Sequence, residues 1–342
     1  MPELKNRQWL LAARPKGMIK ETDFRWNEAT VPVLKQGEIL IHNLAFSFDP
    51  TQRGWMSYAT YMPAIALGSV MLAGAVGQVV ESKRPGFVKG DLVQGLFGWE
   101  DYTVTTGEGR LLGVQKLAPG SDPILMLSVF GTTGLTAYFG TLDVGLVKAG
   151  ETFVVSGAAG ATGSVAGMIA KIKGCRVIGI AGGPQKCDWL LKDAGFDGAI
   201  DYKNENVGDA LSRHCPKGID VYFDNVGGEV LDLALARLAD RARVVLCGAI
   251  SQYNEAQGVA AAPPRNYFSL ILHGARMEGF LVFHYASRFP AAIAEMSGWY
   301  GEGKLKNQVD LQHGLENAPK TIIRLFTGAN LGKQLLKVAD PQ

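Results

Sequence analysis

The sequence predicts an α/β protein in which a doubly wound parallel sheet is inserted in a strand-rich domain. Three observations predict it. From Thr152 onward, apolar strand-like runs alternate with helical patterns through six strands. Before about residue 120 the chain instead reads as strands punctuated by Gly, Pro and Asp. Residues 298–342 leave the alternation again. Parallel neighbours need a crossover connection, and a helix between successive strands supplies one.

In the first part, strands are expected at Arg7–Ala12, Glu38–Phe48, Ala73–Glu81 and Tyr102–Thr105. The apolar alternation of Ala75–Glu81 fits an antiparallel strand with one wet face. Helical stretches follow at Ile124–Phe130 and Leu135–Leu142. The alternation then runs through strands Thr152–Ser156, Arg176–Ala181, Ala199–Ile200, Asp220–Asp224, Arg243–Cys247 and Arg276–Val282. Its helices are Thr162–Lys173, Pro184–Ala194, Val207–Arg213 and Glu229–Ala239. On the first of them Val165, Met168, Ile169 and Ile172 make one apolar face. Helices Ala291–Tyr300 and Pro319–Thr327 and a strand Gln334–Val338 close the chain and are expected to pack back onto the first domain. The expected bounds are 1–125 for the strand-rich domain, 126–297 for the nucleotide-type domain and 298–342 for the return.

A chain of 342 residues has ample length for two domains. Basic and acidic residues nearly cancel, 34 against 32, so no whole-protein field exists to hold nucleic acid or an anionic membrane. With 47% apolar and 19% charged residues the composition is that of a packed globule. Met1–Lys5 lacks the apolar core of a secretory signal, and no run of about 18 apolar residues predicts a membrane span. Cys175, Cys187, Cys215 and Cys247 form no C-x-x-C pair and read as reduced thiols. A cytoplasmic location is expected.

The strand at Thr152–Ser156 runs through Gly157-Ala158-Ala159-Gly160-Ala161-Thr162-Gly163 into the apolar-faced helix. Strand, glycine turn and helix in that order make a dinucleotide site. The glycines allow the tight turn and close backbone approach, and the helix N-terminus stabilises a pyrophosphate. Ala158 stands where the first glycine usually falls. An acid at the end of the second strand would accept hydrogen bonds from the ribose 2′-hydroxyl of NAD. Here that strand ends Ile180-Ala181-Gly182-Gly183-Pro184-Gln185-Lys186 with no carboxylate before Asp188. Lys186 can meet a 2′-phosphate as a point charge. NADPH is therefore the expected cofactor.

No metal is expected. No cysteine precedes Cys175, and the five histidines (His42, His214, His273, His284, His313) show no i, i+4 pairing. Reducing a simple ketone creates an alkoxide, which a Lewis acid can stabilise. Hydride addition to the β-carbon of a conjugated carbonyl spreads the charge into an enolate instead. A neutral phenol, of pKa about 10, is then a reasonable donor.

Several motifs in order carry a family resemblance over nearly the full length. They are Phe48–Gly54, Ala159–Ser164, Tyr222–Gly228, Cys247–Asn254, Arg276–Val282 and Asn330–Lys333. The chain resembles the zinc-independent branch of the medium-chain dehydrogenases/reductases, the NADPH-dependent alkene reductases. These include prostaglandin/leukotriene reductases, plant alkenal double-bond reductases and bacterial curcumin reductase. The resemblance implies a Rossmann domain inserted in a GroES-like domain, a homodimer, and a small apolar conjugated carbonyl as substrate. It puts Gly160, Ala161, Thr162 and Gly163 on the pyrophosphate, Lys186 on the 2′-phosphate and Tyr202 beside it. Asn225 would line the cofactor crevice. Cys247, Gly248, Ala249, Ile250, Ser251 and Tyr253 would pass the nicotinamide ribose. Phe280, Leu281 and Val282 would line the nicotinamide, and Asn330 would reach in from the tail. Tyr253 would stabilise the enolate oxygen as the catalytic residue.

The substrate pocket would draw on Asp49, Thr51, Arg53, Trp55, Tyr58 and His284. Thr51 departs from the tyrosine many members carry, and His284 from a frequent acid. Trp55, Tyr58 and Tyr61 read equally as a pocket wall or as core. NADPH-dependent quinone reduction and a non-catalytic NADPH sensor are the rival functions.

Overall fold

The computed structural model of the chain describes residues 4–108, 111–255 and 263–341. They fall into two compact units, Met1–Leu127 with Val309–Gln342, and Ser128–Gln308.

In the first unit, β1 (Lys5–Leu11) and β2 (Phe24–Thr30) pair antiparallel with Trp9 opposite Trp26. Next come β3 (Ile39–Ser47), helix α1 (Gln52–Trp55), β4 (Leu72–Ser82), β5 (Leu92–Gly98), β6 (Tyr102–Thr105), β7 (Gln115–Lys116) and α2 (Pro123–Leu127). β3 is the hub of this sheet. β4 covers one of its edges, and β6 pairs with Ile39–His42 on the other. That explains its nearly continuous apolar sequence, with eight of nine residues buried.

The second unit opens with α3 (Thr132–Phe139), which passes into a π turn at Gly140–Val144. The alternation follows: β8 (Thr152–Ser156), α4 (Ala161–Ile172), β9 (Arg176–Ala181), α5 (Pro184–Lys192), β10 (Gly198–Asp201), α6 (Val207–His214), β11 (Ile219–Asp224), α7 (Gly228–Leu235) and β12 (Leu238–Leu246). Then come α8 (Ser269–Leu272), β13 (Arg276–Gly279) and α9 (Phe289–Gly301). All six strands are parallel, in the order β10-β9-β8-β11-β12-β13. The order reverses between β8 and β11, so a crevice opens at their carboxyl ends. Val154, Ile178, Ile180, Tyr222 and Val244 meet Ala210, Leu211, Leu231 and Leu235 in one of its core clusters.

The chain returns to the first unit through β14 (Val309–His313), α10 (Ala318–Thr327) and β15 (Lys333–Lys337). β15 lies antiparallel to β3 at Ala45–Ser47 and parallel to β14. The return starts at Val309 rather than 298, because α9 buries Ala292 and Met296 within the second unit. The sixth strand stops at Gly279 instead of Val282: Gly279 is the partner of Leu246, where β12 ends. A 3₁₀ stretch, Val282–Arg288, follows.

One ion pair ties the return to the segment after β3. Lys333 is 2% exposed, and its ammonium pairs with Asp49 while donating to the Phe48 carbonyl at 3.2 Å. Unpairing a buried charge costs far more than unpairing an exposed one. Lys333→Met is expected to lower stability by about 3 kcal/mol, read from the urea midpoint. Lys192→Met, at the exposed Lys192–Asp188 pair, is expected to leave the urea midpoint nearly unchanged.

Candidate active site

The glycine loop leaves β8 at Gly157, whose φ of +60° is left-handed and suits glycine. The chain then turns tightly, the Gly160 N–H donating to the Gly157 carbonyl at 2.9 Å. Gly163, in the first turn of α4, sits directly on that turn. A Cβ there would lie 2.4 Å from the Gly157 oxygen and 3.0 Å from the Ala158 Cα, and neither backbone atom can swing away. Glycine is thus required for α4 to approach β8. The N-cap is Gly160, with no side chain to cap the helix. The N–H groups of the first turn remain suited to an anion.

Ala158 is fully buried and takes its place by a steric exchange. It faces Gly179 of β9, where a Cβ would lie 2.8 Å from that of Ala158. The methyl that the loop carries is accommodated by the one that the strand lacks.

At the end of β9, Gly183 caps α5 and Pro184 starts it, which places Lys186 in the first turn. Tyr202, half exposed, packs against Gly182, where a Cβ would lie 2.7 and 2.8 Å from two of its ring carbons and 2.9 Å from its hydroxyl. The two residues assigned to a 2′-phosphate therefore flank one turn. Asp201, which the sequence reading did not single out, holds that turn by accepting the Gly183 N–H at 2.7 Å. Burial pushes this carboxyl up, but the N–H groups of Gly183, Asn204 and Lys203 more than offset that and hold it below the ordinary value.

The segments after β11 and β12 are laid on one another. Asn225 donates from its side-chain amide to the Ser156 carbonyl at 2.8 Å, bridging the ends of β8 and β11. Cys247 and Gly248 donate their N–H groups to the Asp224 carbonyl at 2.9 and 3.1 Å. Ile250 donates to Asn225 and Ser251 to Val226, each at 3.2 Å. Tyr253 follows a 3₁₀ turn, Ile250–Gln252, and its hydroxyl accepts the Ala249 N–H at 3.2 Å. The phenol is thereby set back onto the loop at the carboxyl end of the sheet.

Beneath these residues lies the buried Asp224 carboxylate, which the sequence placed at a strand end without a role. It accepts hydrogen bonds from Ser156 Oγ (2.8 Å), Tyr222 Oη (3.1 Å) and the N–H groups of Val226 and Gly227. Burial pushes its carboxyl up, and these donors, Gly227 first, pull it back. An acid directly after the buried Val221-Tyr222-Phe223 run was the sequence signal for it.

Phe280 rests on the π turn: a Cβ at Gly140 would lie 2.7 Å from its ring and 2.6 Å from that of Phe223. Just downstream, Tyr285 stacks on Phe139 with ring centres 4.6 Å apart. Arg288 pairs with Asp143 at 2.5 Å and lies over Phe139. Val282 is buried, whereas Leu281 and His284 are exposed.

The pocket candidates of the first unit divide into two groups. Arg53 is 3% exposed; its guanidinium donates to the Pro15 and Gly17 carbonyls at 3.1 Å and to the Ser57 hydroxyl. Trp55 is buried in the strand-domain core with Phe48, Phe97 and Trp99. Both support the segment around α1 from inside, because an amphipathic stretch buries its large side chains wherever the sheet offers a face. Thr51 and Tyr58 stay accessible, and Thr51 Oγ1 shares a 3.0 Å hydrogen bond with the Tyr61 hydroxyl. Asp49 is held by Lys333. Asn330 is buried, its amide donating to the Gly332 carbonyl at 3.0 Å.

A strand-rich unit joined to a six-stranded doubly wound sheet, with a glycine loop at its switch point, defines a dinucleotide-binding protein of the dehydrogenase type. Residues 7–112 match the family described as the N-terminal domain of oxidoreductase, and residues 161–298 the one described as zinc-binding dehydrogenase. The NADPH-dependent curcumin reductase of Escherichia coli strain K12 is 39% identical over 341 residues, spanning 98% of this chain and 97% of that one. The NADP(+)-dependent 2-alkenal reductase of Nicotiana tabacum is 39% identical over 346 residues, 98% of each. The crystal structure of CurA from Vibrio vulnificus in complex with NADPH superposes with a TM-score of 0.92 at 40% identity, covering 98% of this chain and all of that one. The chain belongs to the medium-chain dehydrogenase/reductase family.

The residues do not fit the zinc in that family description. Among the described residues no cluster of three or more His, Cys, Asp or Glu could hold a metal ion. Burial pushes the thiols of Cys175, Cys187 and Cys215 up to about 11 and that of Cys247 to about 12, the reverse of what a thiolate ligand requires.

Gly163→Val is expected to push α4 off β8. Binding titration should show dinucleotide affinity falling at least tenfold, with the isolated melting temperature also lowered.

Proposed function

We propose that this protein is an NADPH-dependent reductase of the carbon–carbon double bond of α,β-unsaturated aldehydes and ketones. The observation that carries the reading is the Tyr253 phenol, anchored on the loop at the carboxyl end of the nucleotide sheet, with no metal-ligand cluster among the described residues. The names and NADPH dependence of the curcumin and alkenal reductases support it. Gly160–Gly163 would hold the pyrophosphate, Lys186 and Tyr202 the 2′-phosphate, and Asn225, Cys247–Ser251 and Phe280–Val282 the nicotinamide end. Bound NADPH would supply a hydride to the β-carbon of the substrate.

Tyr253 would hydrogen-bond the carbonyl oxygen and meet the charge that grows there. A phenol of ordinary pKa about 10 stays protonated at neutral pH and can donate without being consumed as a base. The protein is read as a cytoplasmic homodimer. Support for the homodimer is the edge position of β13, last in its sheet among the described residues, with Tyr267, Phe268, Ile271 and Leu272 exposed just before it. No helix among the described residues is long and apolar enough to cross a membrane.

The test is NADPH oxidation against enals, enones, quinones and saturated ketones, with products identified. Saturated carbonyl from the enone is expected; hydroquinone as the only product, or turnover of saturated ketones alone, would overturn the reading. Tyr253→Phe is expected to lower kcat by about 100-fold or more with the KM for NADPH little changed. A changed cofactor KM at unaltered kcat would make Tyr253 a loop anchor instead.

A further inference from the structure

We infer that Asp201 is the positioning residue of the 2′-phosphate site: it fixes the turn that aims Lys186, and so sets the preference for a phosphorylated over a plain adenosine ribose. This rests on the reading of Lys186 as the 2′-phosphate ligand.

Lys186 stands in the first turn of α5, so its direction follows from how α5 begins. α5 begins at two consecutive glycines, Gly182 and Gly183, the latter with φ +94° and ψ 153° and no side chain to cap the helix. A glycine pair has the greatest backbone freedom of any dipeptide and would leave the lysine poorly directed on its own. The neighbouring strand β10 supplies the restraint. Asp201 is the parallel partner of Ala181, which puts its side chain beside the turn.

Its Oδ1 accepts the Gly183 N–H at 2.7 Å and the Lys203 N–H at 3.1 Å, the second closing an Asx turn. Its Oδ2 accepts the Asn204 amide at 2.7 Å, and its own N–H donates to Glu205 at 2.9 Å. The next residue, Tyr202, donates its N–H to the Ala181 carbonyl at 3.1 Å and covers Gly182 with its ring. Residues 201–205 thus clamp the turn through one carboxylate oxygen and one ring. Three N–H groups, those of Gly183, Lys203 and the Asn204 amide, face its oxygens. A positioning role needs the acceptor oxygen at Gly183, not the negative charge, and this separates it from a purely electrostatic one.

The experiment is fluorescence titration of NADPH and NADH into wild type, Asp201→Ala, Asp201→Asn and Lys186→Ala, with the melting temperature of each protein recorded without cofactor. Asp201→Ala is expected to weaken NADPH about tenfold and NADH less than twofold. Asp201→Asn keeps an oxygen for the Gly183 N–H and is expected to bind NADPH within about twofold of wild type. Equal weakening of both cofactors by Asp201→Ala would overturn the proposal, as would unchanged binding, or an Asp201→Asn loss as large as that of alanine. Should Asp201→Ala not fold, Asn204→Ala takes its place. It frees one side of the carboxylate and is expected to weaken NADPH two- to threefold without affecting NADH; no change overturns the proposal. Lys186→Ala separates the layers. If it abolishes the preference while Asp201→Ala does not, the positioning role alone fails. If it leaves the preference intact, the Lys186 reading fails with it.

Discussion

The close approach of α4 to β8 is the constraint on which the site depends. It exists because Gly163 has no Cβ to strike the Gly157 carbonyl and because Gly157 can adopt a left-handed turn. Together they bring a helix N-terminus to the carboxyl end of the central strand, where its N–H groups and dipole favour an anion. Asn225 and the 247–251 segment gather near that point. Asn225 bridges to the Ser156 carbonyl at the end of the same strand, and the 247–251 segment is hydrogen-bonded along 224–226.

Two carboxylates close to this centre show how an anion site can contain acids. Asp224 lies beneath the loops and Asp201 beside the β9–α5 turn. Each is engaged by backbone N–H groups and polar side chains of its own surroundings. Each offers acceptor oxygens to the N–H group of a glycine turn, Asp224 to Gly227 and Asp201 to Gly183. Burial raises Asp224 whereas donors lower Asp201, so the two reach the same architectural end from opposite electrostatic settings. On the first unit, Lys333 and Asp49 perform a related task, an ion pair fastening the returning strand to the segment after β3.

Strands such as Thr152–Ser156, Arg176–Ala181 and Tyr102–Thr105 were legible to the residue, because compact apolar runs bounded by turn formers carry their own signal. β2, β5, β7 and β14 were not. Phe24–Thr30 is mostly polar, Leu92–Gly98 is interrupted by glycine, and Gln115–Lys116 is only two residues. These strands exist because a partner edge is present, a condition no local window records. The π turn at Gly140–Val144 was read as plain helix for the same reason: its irregularity accommodates Phe223 and Phe280, far along the chain.

By itself the sequence determined the alternation, the glycine loop with its helix, and the lysine placed after an acid-free second strand. All of these are written in short-range spacing and backbone freedom. Only the tertiary structure decided that Arg53 and Trp55 serve the interior while Thr51 and Tyr58 remain accessible. It alone placed Asp201 on the turn before Lys186, and folded the Tyr253 hydroxyl onto Ala249. Burial and hydrogen-bond partnership depend on which distant segment comes to lie opposite, and the packed fold alone supplies that.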